Sequence, residues 1–370
     1  MEQLSTLELH RVVKELQICL GGKINQIYVD REKKEMLFEI FVSNQGRKLL
    51  RIIFPSLMFL ASVKPEMPQK PDGYCAYLRK YLRNARVKAI EQVDAERIVC
   101  ITLEARDLTK KEYSPVFYKM YIELFSKGNF ILANEHNLIL SPFEIQEWAG
   151  RSIKAREQYK YPKQEYNIFT LSEEEYAHAM KKSSKDSVVT VLALEFGLGG
   201  RYAEEICLRA EIAKETKPVD AGTKALFSAF QSLLHDVETG RAVIVNNHVF
   251  PCSLKQFDSA EKFDSYMEAL DAFLSPKIMK KEEKEQVSKN EKAKTKVQVM
   301  IDSQEKQIHV YEEEHQQNQL IGEAIYQNYQ ILDEISKELK ECKSAQDFKK
   351  VQQTYPQIKK IHLKEAVIEI

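Results

Sequence analysis

Residues 51–97 read RIIFPSLMFLASVKPEMPQKPDGYCAYLRKYLRNARVKAIEQVDAER. An apolar run closes on Phe54-Pro55-Ser56, and a segment punctuated by Pro65, Pro68 and Pro71 follows. Proline fixes φ and removes a backbone donor, so this segment reads as a loop. A basic helix is predicted from about Tyr74 to Ala85, and the stretch ends with Glu96-Arg97 at the mouth of a strand. From Ala76 to Lys88 there are five basic residues and no acidic one, in a chain with 55 Lys and Arg against 55 Asp and Glu. Arg79, Arg83 and Arg86 follow at +4 and +3, which stacks them on one helical face beside Lys80. Leu78, Leu82 and Ala85 hold the other side. Such a concentration of charge in a neutral chain suits a polyanion. An ordinary solvated helix face would look the same in sequence.

Working outward, residues 6–19 carry Leu7, Val12, Val13, Leu16 and Leu20 at helical spacing. Ser5 and Glu8 form a capping box at the start of this helix. Strands are predicted at Ile24–Val29, Met36–Val42 and Lys48–Phe54 on one side of the basic helix. On the other side they fall at Arg86–Glu91, Arg97–Leu103, Phe117–Phe125, Phe130–Asn134 and Leu138–Leu140. A helix, three strands, a helix and five strands predict a sandwich-like α+β domain. Residues 172–275 read as mostly helical, with a two-strand insert at Ala242–Val245 and Val249–Pro251, and Pro276 is expected to end the block. Within it Val188–Phe196 and Arg201–Ala210 form a helix pair around Gly197-Leu198-Gly199-Gly200. Such a turn, with Gly197, Gly199 and Gly200 baring backbone N–H groups at a helix start, has the form of a helix-hairpin-helix phosphate nest. A tight packing turn is the plain alternative.

Residues 280–342 are expected to form one uninterrupted helix with a 3-4 stripe of Val297, Ile301, Gln304, Ile308, Tyr311, His315, Asn318, Gly322, Ile325, Tyr329, Leu332 and Leu339. A helix this long and polar cannot bury its stripe alone, so a coiled coil with a second helix or a partner chain is expected. The stretch beyond it ends strand-like at Ile361–Ile370, as if unfinished. These readings divide the chain into residues 1–170, 171–276, 277–343 and 344–370.

Composition narrows the function classes. At 370 residues and 44% hydrophobic, the chain has material for two or three packed domains. Its six cysteines show no Cys-x-x-Cys spacing, which points to reduced thiols and away from a zinc site. The opening Met-Glu-Gln-Leu-Ser-Thr has no basic or apolar leader, and the apolar run Ile52–Val63 is too short to span a bilayer. A cytoplasmic protein without membrane attachment is expected. No nucleotide-binding, hydrolase-elbow or metal-ligand motif occurs. We therefore expect no enzyme, catalytic residue, metal, cofactor or small-molecule substrate.

A second basic cluster comprises Arg151, Lys154, Arg156, Lys160 and Lys163, interleaved with Trp148, Tyr159 and Tyr161. Cations that neutralise phosphates beside rings that stack on bases are suited to single-stranded RNA. A domain linker packed on its neighbour is the alternative. Glu96-Arg97 reads either as a surface ion pair of little energetic value or as an acceptor beside a rigid donor fork for RNA.

The order of these segments resembles the NFACT family, in its archaeal branch. The resemblance is carried by Phe54-Pro55-Ser56, Leu78–Arg86, Glu91-Gln92, Arg97-Ile98-Val99, Glu123-Leu124-Phe125 with Gly128-Asn129, Trp148 with Arg151, Tyr161-Pro162, and Ile325–Gln330. It implies a glycosylase-like N-terminal domain, a helix-hairpin-helix domain, a long coiled-coil helix and the start of a small middle domain. It further implies a ribosome-associated quality control factor. Such a factor binds rRNA and peptidyl-tRNA on obstructed large ribosomal subunits and brings aminoacyl-tRNA for mRNA-independent tailing of the nascent chain. The ribosome makes the peptide bond. The family's functional aspartate-arginine pair falls on Glu96-Arg97 and its early aspartate on Glu8, each acid one methylene longer here. The family continues into a returning helix and a C-terminal RNA-binding domain, so the sequence resembles the N-terminal part. Expected RNA and tRNA contacts are Glu8, Arg79, Lys80, Arg83, Arg86, Glu96, Arg97, Arg151, Lys154 and Arg156. A DNA glycosylase is disfavoured because residue 2 is Glu2 where those enzymes use a proline amine, and no zinc finger follows. A coiled-coil interaction scaffold without RNA binding is the remaining alternative.

Overall fold

The computed structural model describes residues 3–362 and 367–369, apart from 108, 109, 111, 113, 149, 163–165 and 258–260. For 281–293, 295 and 345 only the backbone is described. Two compact units divide at Glu282/Glu283.

The first unit opens with α1 (Thr6–Leu16), capped by the reciprocal Ser5–Glu8 box that the sequence signals. Strands β1 (Lys23–Asp30), β2 (Glu35–Val42), β3 (Gly46–Ile53) and β4 (Leu57–Ala61) form a meander, followed by α2 (Gly73–Leu82). Then come β5 (Arg86–Gln92), β6 (Ile98–Arg106), β7 (Pro115–Glu123), β8 (Asn129–Asn134) and β9 (Ile139–Pro142). All nine strands join one antiparallel sheet in the order β4-β3-β2-β1-β5-β6-β7-β8-β9. The expected sandwich is therefore a single sheet whose two halves meet at a narrow seam. Lys23 pairs with Arg86 there, and the Val87 N–H donates to the Gly22 carbonyl at 2.8 Å. The halves also touch through their inner faces, where Phe38 of β2 stacks on Phe130 of β8 with ring centroids 5.5 Å apart.

Strand β4 was not expected. Leu57, Met58, Phe59 and Ala61 are all buried, so the strand shows no polar alternation to read. Phe54-Pro55-Ser56 is the β3–β4 turn, with a cis Phe54–Pro55 peptide. It packs on the β7–β8 turn at Gly128, whose φ is +70°. A Cβ at Gly128 would lie 2.8 Å from Phe54 Cβ and 2.9 Å from Pro55 Cα. Beside it, Asn129 is fully buried and exchanges hydrogen bonds with the Glu144 backbone at 2.8 and 3.1 Å. These family-like segments thus hold two turns together. In the same region, Arg51 forks onto Glu35 at 2.6 and 3.1 Å, both almost fully buried.

A hairpin of β10 (Gln146–Trp148) and β11 (Arg151–Ile153) follows, in a stretch that shows no regular pattern in sequence. The helical part contains α3 (Glu173–Lys182), the single turn α4 (Val188–Thr190), a π-helical stretch Val191–Glu195, α5 (Gly200–Arg209) and α6 (Thr223–Thr239). The first helix of the expected pair is thus mostly π-helical. A third strand, β14 (Glu261–Phe263), joins β12 (Ala242–Val245) and β13 (His248–Phe250), where two were expected.

Helix α7 (Tyr266–Gln327) begins before the expected start and runs through Pro276. Proline removes one helical hydrogen bond. The first turns are nevertheless pinned, because Tyr266, Met267, Ala269, Leu270 and Leu274 are buried in the sheet core. The expected uninterrupted helix breaks at Asn328 and resumes as α8 (Tyr329–Glu341). Val297, Ile301, Ile308, Tyr311, Ile325 and Tyr329 of the stripe are exposed. The second unit ends with α9 (Ala345–Thr354) and a hairpin of β15 (Lys360–His362) and β16 (Val367–Glu369) around Ile335, Val351 and Ile358. No helix of the described residues is long and apolar enough to cross a membrane.

Candidate nucleic-acid interface around the first helix

Helix α1 contacts the two larger hydrophobic cores among the described residues of the first unit. Leu9, Val12 and Leu16 sink into the sheet core, while Leu7 joins the core built from α3, α5 and α6. Burying side chains of this size contributes roughly 1.5–3 kcal/mol each. Its polar side is committed as well. Arg11 donates to the Val237 carbonyl at 3.2 Å and to that of Glu238, capping the end of α6. Glu15 accepts from the Ser265 hydroxyl and the Tyr266 and Met267 N–H groups at 2.7–2.9 Å, capping the start of α7.

This helix brings together three regions that lie far apart in sequence. The Tyr202 hydroxyl on α5 donates to Glu8 at 2.8 Å. Burial, with the Glu8 charge next in weight, pushes the Tyr202 hydroxyl well above its ordinary pKa, so it stays a donor. Gln92 closes the third side, its Nε2 donating to the Thr6 carbonyl at 3.2 Å and the Glu96 carbonyl at 3.0 Å. The start of α1, the α5 helix behind the glycine turn, and the Glu96-Arg97 turn are therefore one bonded assembly. Replacing Gln92 with Leu is expected to cost about 1–2 kcal/mol in chemical denaturation, from two carbonyls losing their donor. It should also speed hydrogen exchange at the Glu96 and Arg97 amides, which a loss of general packing would not single out.

Glu8 is a correction to the expected contacts. It is only 6% exposed, with one carboxylate oxygen on the Ser5 N–H and the other on Tyr202. Its carboxylate is used in building the assembly. Glu96 and Arg97 are half-buried on the turn between β5 and β6, which is closed by the Glu96 N–H on the Val93 carbonyl at 3.0 Å. Burial pushes the Glu96 carboxyl up, and Arg97, side chain and backbone N–H together, pulls it back. Burial pushes the Arg97 guanidinium down, against the neighbouring Glu96 charge. Among the described residues the guanidinium makes no hydrogen bond or side-chain ion pair.

The basic face of α2 is arranged differently from the expectation. The helix stops at Leu82, with Arg83 as its extended cap and Asn84 left-handed at φ 70°. Arg86 belongs to β5, so Arg79, Arg83 and Arg86 do not share one helical face. Arg79 is half-buried, donating Nε to the Ile27 carbonyl at 2.8 Å over the Tyr28 ring. Lys80, Arg83 and Arg86 are exposed; Arg86 donates to the Gly21 carbonyl at 3.3 Å.

In the second cluster Arg151 is also a correction. It pairs with Glu123, 1% exposed, and donates Nε to the Lys160 carbonyl at 2.7 Å between Trp148 and Tyr159. Tyr159 is buried, stacked on Tyr121 at 3.9 Å and bonded to Glu123 at 2.7 Å, so it offers no face to a base. The charge of Lys154 is met locally by Glu157 at 3.0 Å and Glu147 at 3.5 Å. Arg156 is exposed, Trp148 and Tyr161 are each 42% exposed, and Lys163 lies outside the described residues. The turn glycines Gly197 and Gly199 are left-handed at φ 66° and 78°. A Cβ at either, or at Gly200, would meet open space. Gly199 caps α5 without a side chain.

Sequence reasoning did not anticipate the cleft beside α1, about 540 Å³, to which His10, Asp94, Asn167, Phe169 and Glu238 contribute. Its residues come from four separate segments and form no local pattern.

Comparison with known proteins agrees with this architecture. The family model for NFACT N-terminal and middle domains matches residues 5–367. The archaeal Rqc2 homolog aRqcH of Methanocaldococcus jannaschii is 30% identical over 367 residues, covering 94% of this chain and 54% of that protein. The Rqc2 homolog RqcH of Bacillus subtilis is 26% identical over 330 residues, covering 85% and 56%. The chain thus spans about half the length of these relatives. Among solved structures, the N-terminal part of the fibronectin/fibrinogen-binding protein from Streptococcus suis superposes with a TM-score of 0.61 at 20% identity, over 74% of this chain and all of that one. With the family match running from the α1 cap to the last hairpin, the chain belongs to the NFACT family.

Proposed function

We propose that this chain acts in ribosome-associated quality control, binding large ribosomal subunits obstructed by peptidyl-tRNA and recruiting tRNA for mRNA-independent tailing. The family membership and the relatives' names as Rqc2 homologues support the role. The observation that supports RNA contact is Arg97, a half-buried guanidinium beside the Glu96 charge but with no side-chain hydrogen bond or ion pair among the described residues, held on a braced turn. Desolvating a charge without pairing it is unfavourable, and such groups cluster at functional sites. Exposed Lys80, Arg83 and Arg86 would follow the phosphates, and the bare start of α5 would add backbone donors. The factor positions RNA, and the ribosome performs the bond chemistry.

The affinity for tRNA is expected to fall linearly with salt on a logarithmic plot, with a slope near −0.7 to −0.9 per phosphate neutralised. Titration by fluorescence anisotropy from about 50 to 200 mM salt reads it; a flat response would remove the basic surface from the argument. The exposed stripe of α7 favours a second reading, a scaffold that pairs through its long helix. Sedimentation separates the two. The first reading requires the chain to pellet with large subunits, and the second only with a protein partner.

A further inference from the structure

We propose that the cleft beside α1 receives one unstacked RNA base carrying an exocyclic amino group. The inference rests on the RNA-binding reading above and names what its neighbouring site selects. At about 540 Å³ the cleft falls within the range of small-ligand sites. His10 of α1 and Phe169 of the linker both line it, their rings stacked at 4.3 Å and 24°. A base adds a third plane to such a stack.

The charges in the cleft argue against a phosphate. Glu238 faces His10 Nε2 at 3.2 Å and Lys14 Nζ at 3.6 Å, so the lysine charge in the cleft is already met. Arg97 and the exposed cations Lys80 and Arg83 lie outside the lining of the cleft. What the cleft leaves open is an acceptor. Asp94 is exposed and, among the described residues, held by Asn167 Nδ2 at 3.5 Å, a long contact that a better donor displaces. A carboxylate accepts from the amino group of cytosine, adenine or guanine, whereas uracil has no amino group to give. Asp94 and Arg97 share the β5–β6 turn, so a nucleotide whose backbone meets Arg97 can place its base against Asp94.

The test uses fluorescein-labelled uridine octamers with a central uracil, cytosine, adenine or guanine, and tRNA alongside. The wild-type chain is expected to bind the amino-bearing octamers about five- to tenfold more tightly than the all-uracil one. Asp94→Asn should bring that ratio to about one without changing the salt slope, and asparagine tolerates the left-handed backbone there, φ 49°. Phe169→Leu, checked for an unchanged thermal midpoint, should weaken every octamer roughly five- to hundredfold as stacking is lost. Arg83→Ala should lower all affinities together and leave the ratio unchanged. A wild-type chain that binds tRNA but treats the four octamers alike overturns the cleft and leaves the RNA reading standing. So does Asp94→Asn retaining the ratio. Binding to neither probe overturns both.

Discussion

Arg51→Met is expected to destabilise the first unit by about 3–5 kcal/mol, the cost of breaking a buried ion pair by removing one of its members. Arg51 on β3 and Glu35 on β2 are diagonal neighbours, Arg51 facing Leu37 and Glu35 facing Ile53, 2% and 3% exposed and joined by two hydrogen bonds. Removing the guanidinium takes two charge-assisted hydrogen bonds from a carboxylate that is 3% exposed. Glu35→Leu combined with Arg51→Met should recover most of the loss, because two apolar groups of similar volume remove both charges. Chemical denaturation of the two variants and the wild type decides the matter. A single variant as stable as wild type would show that Glu35 takes up a proton or finds water at little cost. The outcome also bears on function, because the β3–β4 turn that follows Arg51 packs on Gly128 and fixes the two turns between the sheet halves.

Local rules carried much of the fold. The Ser5–Glu8 box and the strands flanking the basic helix are short-range signals, and each of these elements stands within a few residues of its expected place. What the sequence could not convey was set by burial. Strand β4 is apolar on both faces and so has no period to detect. Helix α7 continues through Pro276 because its first turns are anchored in a core assembled mostly from residues between Leu4 and Phe143. The basic clusters were legible as composition and ambiguous as chemistry. Arg151 and Arg83 look alike in sequence, yet one is spent on Glu123 and the other is exposed. Only the position of an acid 28 residues away separates them. Glu8 shows the same limit from the other side. A capping acid explains one of its oxygens, and the second bonds a tyrosine 194 residues downstream.

Arg97→Ala should weaken tRNA binding roughly ten- to a hundredfold, the loss of charge-assisted hydrogen bonds worth about 1.5–3 kcal/mol, while leaving the thermal midpoint within about 2 °C. The two halves of this expectation come from one fact. Arg97 makes no side-chain hydrogen bond or ion pair among the described residues, and burial already works against its charge. The fold therefore gains little from it, and its removal relieves desolvation at least as much as it loses packing. The turn does not depend on it either, since the Glu96 N–H, the Gln92 amide and the Arg97 carbonyl on the Leu124 N–H hold the backbone. Arg97→Lys is the informative companion. It keeps the charge and loses the planar fork, so it should recover the salt slope but only part of the affinity. If Arg97→Ala instead lowers the midpoint by many degrees, the guanidinium is holding the protein together and its role in RNA contact is lost. A variant that keeps both its midpoint and its tRNA affinity would move the contact to Lys80, Arg83 and Arg86. The braced turn would then be an incidental neighbour of a purely electrostatic surface.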